Sequence, residues 1–134
     1  MLTRIALVSG LYDIAVGLVL LTAAPALARL FGAPPLTPAV FGDTNALFLI
    51  VVGMGYWKPW RDPVAHRWYL WLMGPLLKGG GAVVFVRDMW MRDSPASFLL
   101  FALSDGALAL WTLWALLRTR HQALPTPAPP HIER

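Results

Sequence analysis

Four long apolar stretches decide what this chain can become. They run from about Ile5 to Ala24, Val40 to Trp57, Trp68 to Val86 and Ala96 to Leu117. Each reaches or approaches the ~20 residues an α-helix needs to cross the hydrocarbon core of a bilayer. Short connectors rich in helix breakers separate them: Ala33-Pro34-Pro35 with Pro38, Lys58-Pro59-Trp60-Arg61-Asp62-Pro63, and Arg92-Asp93-Ser94-Pro95. Proline at these positions stops a helix and restrains the residue before it. Connectors this short make consecutive helices antiparallel neighbours. The spacing therefore predicts an all-α fold, an integral membrane antiparallel four-helix bundle over residues 1–120. A soluble alternative fails on composition, because 57% of the 134 residues are hydrophobic and 13% charged. Soluble domains average about 45–50% and about 25%, and a short chain has too little interior to hide the surplus.

The first span has features of a cleavable leader: Arg4, an apolar run and Ala26-Leu27-Ala28. Asp13 interrupts that run, so the span is read as a retained helix. Orientation follows from the positive-inside bias. Arg4, Lys58, Arg61, Arg67, Arg118, Arg120 and Arg134 fall on one side, seven basic residues against Arg29, Arg87 and Arg92 on the other. Both termini and the middle connector are accordingly expected in the cytoplasm. The net charge of +4 reads as this topology signal and makes no case for nucleic acid. Anionic headgroups are the expected partners of the Lys58–Arg67 loop. Trp57, Trp60, Trp68 and Trp71, with Tyr56 and Tyr69, read as an aromatic belt at that interface. His121 to Arg134 carries Pro125, Pro127, Pro129 and Pro130 and is expected to form an extended cytoplasmic tail.

Charges within the spans are the unusual feature. Asp13, Asp43, Lys78 and Asp105 each interrupt a different span, and Asn45 stands beside Asp43. An Asp or Lys at a helix centre costs about 2.5–3.5 kcal/mol to insert, and such residues normally face the bundle interior and pair there. Counted from the cytoplasmic ends at ~1.5 Å per residue, Asp13 lies roughly 13 Å deep, Lys78 roughly 16 Å, Asp105 roughly 19 Å and Asp43 roughly 21 Å. All four fall in one slab near the midplane. Small residues share their faces: Ser9, Gly10 and Gly17 around Asp13; Gly74, Gly81 and Ala82 around Lys78; Ala102, Ala109 and Thr112 around Asp105. Small residues let membrane helices approach closely. Tyr12 adjoins Asp13 within reach of the same slab.

One Lys cannot neutralise three carboxylates. Either a carboxyl is neutral, or a cation, a cationic substrate or a partner's Arg completes the balance. The plain structural alternative is a Lys–Asp pair that fixes how the helices pair. Asp43 carries a second plain reading, as a residue near the outer interface that caps the second helix.

Several chemistries find no residues. The chain has no cysteine, which removes disulfides, thiolate metal sites and Cys nucleophiles. His66, His121 and His131 fall in a connector and the tail, so no span offers a haem ligand and no metal site is expected. Gly79-Gly80-Gly81 follows no strand and is read as a helix-packing run, not a phosphate loop.

Certain residues in order carry a resemblance: Gly10-Leu-Tyr-Asp13 in the first span, Leu30-Phe31-Gly32, Gly55-Tyr56, Arg61-Asp62-Pro63, then Gly74 and Lys78. Over roughly residues 5–118 this pattern resembles the small four-helix bacterial membrane proteins grouped as DoxX-like. Some of these are associated with quinone-linked oxidoreductase complexes. The resemblance implies a bacterial inner-membrane accessory subunit, or a site for a lipophilic ligand such as a quinone, and supplies no catalytic residue. A fainter similarity is to four-helix sterol isomerase-type bundles, which use intramembrane carboxylates. The expectation is a small accessory or interaction subunit, beside a partner membrane protein or a second copy. The alternatives are a quinone- or sterol-binding or proton-relay protein, and a lipid-phase isomerase with one Asp as acid and another as base.

Overall fold

A computed structural model describes residues 1–35 and 37–119; the proline-rich tail from His121 lies outside the described residues. Regular structure among them is helical throughout. Four helices are long and apolar enough to cross a membrane: α1 Leu2–Phe31, α2 Val40–Arg61, α3 Arg67–Arg92 and α4 Ala96–Arg118. All four expected spans are present, and each helix extends beyond its apolar run.

The extensions have local causes. In α1, Pro25 lacks an N–H and crowds the carbonyl one turn earlier. The chain yields at Ala23 (φ −135°, ψ 21°), and the helix then resumes as far as Phe31. It stops at Gly32, whose φ of 66° suits a residue without Cβ. The Gly32 N–H reaches Arg29 O at 3.2 Å and the Ala33 N–H reaches Ala28 O at 2.9 Å, closing the last turn in a Schellman arrangement. In α2, the regular run Val40–Gly55 passes through Tyr56 into the short turn Trp57–Arg61. The Gly74-Pro75 pair disturbs α3 ahead of Lys78, because the proline has no N–H to donate. The disruption takes the form of a π-helical segment, Leu72–Lys78, in which the Gly79 N–H reaches back five residues to Gly74 O. The wider turn accommodates the proline ring and leaves Leu70, Gly74 and Lys78 all buried.

Glycines set the closest approaches between helices. A Cβ added at Gly53 of α2 would lie 2.7 Å from Gly10 O of α1, and one at Gly17 2.8 Å from Ala46 O. Across α3 and α4, a Cβ at Gly74 would lie 2.6 Å from Thr112 Cγ2. Without side chains here the backbones come close enough for extensive van der Waals contact, the chief attraction between helices in lipid. Leu2, Ile5, Val52, Tyr56, Leu70 and Leu116 form a buried apolar core. Phe31, Phe85, Phe98 and Phe101 make a second cluster, with Phe31 and Phe101 stacked at 5.3 Å between ring centres.

Candidate functional site

Three helices deliver a charge to one place. Lys78 Nζ, at the end of the π segment of α3, is hydrogen-bonded to Asp13 Oδ1 of α1 and lies 3.4 Å from Asp105 Oδ1 of α4. Lys78 and Asp13 are almost wholly buried, while Asp105 retains about a fifth of its side-chain exposure. The Lys78 ammonium also sits 4.8 Å from the ring centre of Tyr12, where the π face adds to its stabilisation. Tyr12 OH in turn shares a 2.6 Å hydrogen bond with Ser104 Oγ. Ser104 is bonded onward to Phe101 O at 3.1 Å. Asp105 faces Gly81, where an added Cβ would stand 3.8 Å from its Oδ2.

Of the residues singled out in the sequence, Asp13, Lys78, Asp105 and Tyr12 come together. Asp43 and Asn45 do not. Both are exposed on the first turns of α2, and neither makes an ion pair or side-chain hydrogen bond among the described residues. Asp43 stands in the first turn of α2, beside Leu20 and Leu21 of α1 and not at the level of Asp13, and the direction a side chain faces also decides whether it converges. On α2 the buried positions are Gly42, Ala46, Val52 and Gly53, which leaves Asp43 and Asn45 on the outward side.

Of two tyrosines read as belt residues, Tyr56 is internal and Tyr69 is half-buried against it. Tyr56 is only 2% exposed, with its ring edge-on to Tyr69 at 5.2 Å. Tyr69 OH donates to Val52 O at 2.6 Å. Ser9, one turn before Asp13, is fully buried. Three buried polar atoms here lack a hydrogen-bond partner among the described residues: Ser9 Oγ, Asp13 Oδ2 and Tyr56 OH. Their clustering follows from Gly10, next to Ser9, where an added Cβ would meet Tyr56 Cβ at 2.9 Å. The sequence signal for Ser9 and Ser104 was their spacing, one a turn before an intramembrane Asp and the other adjacent to one.

The hydroxyl of Tyr12 gives a first test. Tyr12→Phe keeps the ring over Lys78 and removes the bond to Ser104. It is expected to cost about 0.5–1.5 kcal/mol, read as a modest fall in the unfolding midpoint in mixed micelles. A midpoint that does not move would remove Ser104 from the cluster.

The described residues contain no group of His, Cys, Asp or Glu able to hold a metal ion. The most pronounced surface grooves among the described residues are lined by residues other than Asp13, Lys78 and Asp105. Comparison of the chain with family models, with curated proteins and with solved structures finds no match.

Proposed function

We propose that this protein is a small accessory or interaction subunit of a bacterial inner-membrane assembly, with Asp13, Lys78 and Asp105 as the internal tie that holds its helices in one arrangement. The observation that carries this reading is the engagement of Lys78. Its single positive charge is taken up by carboxylates from two other helices and by the Tyr12 ring, so little of it is left for a substrate. The cluster would then serve specificity of helix pairing, a role known for buried polar groups. The resemblance to DoxX-like proteins belongs to the same proposal.

The reading includes an antiparallel bundle with both termini cytoplasmic. Contacts between chain-distant ends support it. At the start of α3, Arg67 donates to Leu116 O and, at 2.9 Å, to Thr119 Oγ1 at the end of α4. Ser97 at the start of α4 donates to Phe31 O at the end of α1, 2.6 Å away. The basic residues on the Arg67 side support the cytoplasmic assignment.

A second reading, a lipophilic-ligand or proton site, is favoured by the unpartnered Ser9 Oγ, Asp13 Oδ2 and Tyr56 OH. Unsatisfied polar groups in a membrane interior each cost several kcal/mol, and a donor-bearing headgroup or a water would relieve all three. Native mass spectrometry after gentle extraction from the membrane separates the two. A persistent partner chain is the expected result. A lone protein carrying a stoichiometric small molecule other than a phospholipid would replace the accessory reading with the second.

A further inference from the structure

A groove of about 510 Å³ runs along the outer junction of α1 and α2, lined by Leu7, Leu11, Ile14, Met54, Trp57 and Trp60 among others. It lies beside the Gly10–Gly53 approach, and Leu7, Leu11, Met54 and Trp57 are exposed along it. An apolar groove on the outside of a membrane protein is filled by lipid in any case. This one has a distinctive rim. Arg61 lies 4.6 Å from the Trp57 ring centre and 5.3 Å from that of Trp60, both of them groove residues. Lys58 is in the same turn, Trp57–Arg61. Arg4 shares a face of α1 with Leu7 and Leu11, three and seven residues on.

The nearest acid in sequence makes no ion pair with these charges among the described residues. Asp62 turns its Oδ1 into its own connector, accepting from Val64 N at 3.1 Å and Ala65 N at 3.0 Å. Arg4, Lys58 and Arg61 make no ion pair among the described residues. Arg67, by contrast, is committed inward to the end of α4.

We propose that this groove is a binding site for one anionic phospholipid. An acyl chain lies along Leu7, Leu11 and Met54, and the phosphate is held by Arg61, Lys58 and Arg4. Trp57 and Trp60 hold the guanidinium of Arg61 in place by stacking, and its fork of N–H donors suits phosphate oxygens. The site is independent of the accessory role and of the Asp13–Lys78–Asp105 cluster.

The test uses the full chain reconstituted in phosphatidylcholine vesicles containing a minor fraction of phosphatidylglycerol, with retained lipid counted by native mass spectrometry. The protein is expected to keep phosphatidylglycerol in preference to phosphatidylcholine, and the double variant Lys58→Gln/Arg61→Gln to lose that preference. Leu11→Trp, on the lipid-facing side, fills the groove and is expected to lose retention of either lipid. The decisive comparison is Arg118→Gln. Arg118 also stacks on a tryptophan, Trp114, at 4.4 Å, but Trp114 does not line this groove, so its loss leaves the preference intact. An equal loss in Arg118→Gln would mean only a diffuse basic surface, and the proposal fails. It fails likewise if Leu11→Trp retains lipid normally, or if inorganic phosphate abolishes the preference, which would mark a free anion site.

Discussion

Lys78→Met is expected to destabilise the helical domain by about 3–5 kcal/mol, the usual penalty for stranding a buried charge. The substitution conserves length and apolar volume, so packing changes little. What is lost is the partner of Asp13, which is nine-tenths buried or more and whose Oδ1 is occupied by the Lys78 ammonium. Asp105 would suffer less, because it keeps some exposure and stands farther from the ammonium at 3.4 Å. Mixed-micelle unfolding followed by helical circular dichroism reads the effect directly. The double variant Lys78→Met/Asp13→Asn should recover part of the loss, since it removes the stranded charge along with its partner. Lys78→Met/Asp105→Asn should recover less. A Lys78→Met protein that unfolds at the wild-type midpoint would mean the cluster ties nothing together.

The second large effect is steric. At Gly53 an added Cβ would stand 2.6 Å from Ile14 Cγ1 and 2.7 Å from Gly10 O. The oxygen belongs to a helix backbone and cannot rotate away, so Gly53→Val must push α1 and α2 apart. Overpacking of this kind costs about 1–3 kcal/mol. Gly80→Ala is the control: nothing lies within 4 Å of the added carbon, and better helix propensity should leave stability unchanged or raised by up to ~1 kcal/mol. Both are measured in the same unfolding assay. If Gly53→Val matches Gly80→Ala, the contact between α1 and α2 is looser than described.

The four spans were legible because bilayer thickness imposes a length on any crossing helix, and proline and glycine mark where each can end. Helix α1 overran its expected end because Pro25 bends a helix locally without obliging it to stop, and the chain takes up that bend at Ala23. The convergence of Asp13, Lys78 and Asp105 was legible from depth and from the small residues sharing their faces. Asp43 shows where that reasoning ran out. A count of ~1.5 Å per residue gives height but not azimuth, and α2 turns its glycines and Ala46 inward instead. Tyr56 was hidden for a related reason. A tyrosine near a span's end is usually an interfacial anchor, and only the close passage of Gly10 reveals an inward-facing ring.

The link between Lys78 and Asp13 joins residues 65 positions apart in the chain, and that separation bears on how the protein is made. Synthesis proceeds from the N-terminus, so Asp13 reaches the membrane while its counter-ion is still unmade. Throughout that interval the first hairpin bears an insertion penalty of about 2.5–3.5 kcal/mol for one carboxylate. Until the third helix is made, Lys78 cannot offset that penalty. Asp105 enters last, with a cation already waiting. The order of translation thus makes α3 the helix that completes the Asp13–Lys78 pair.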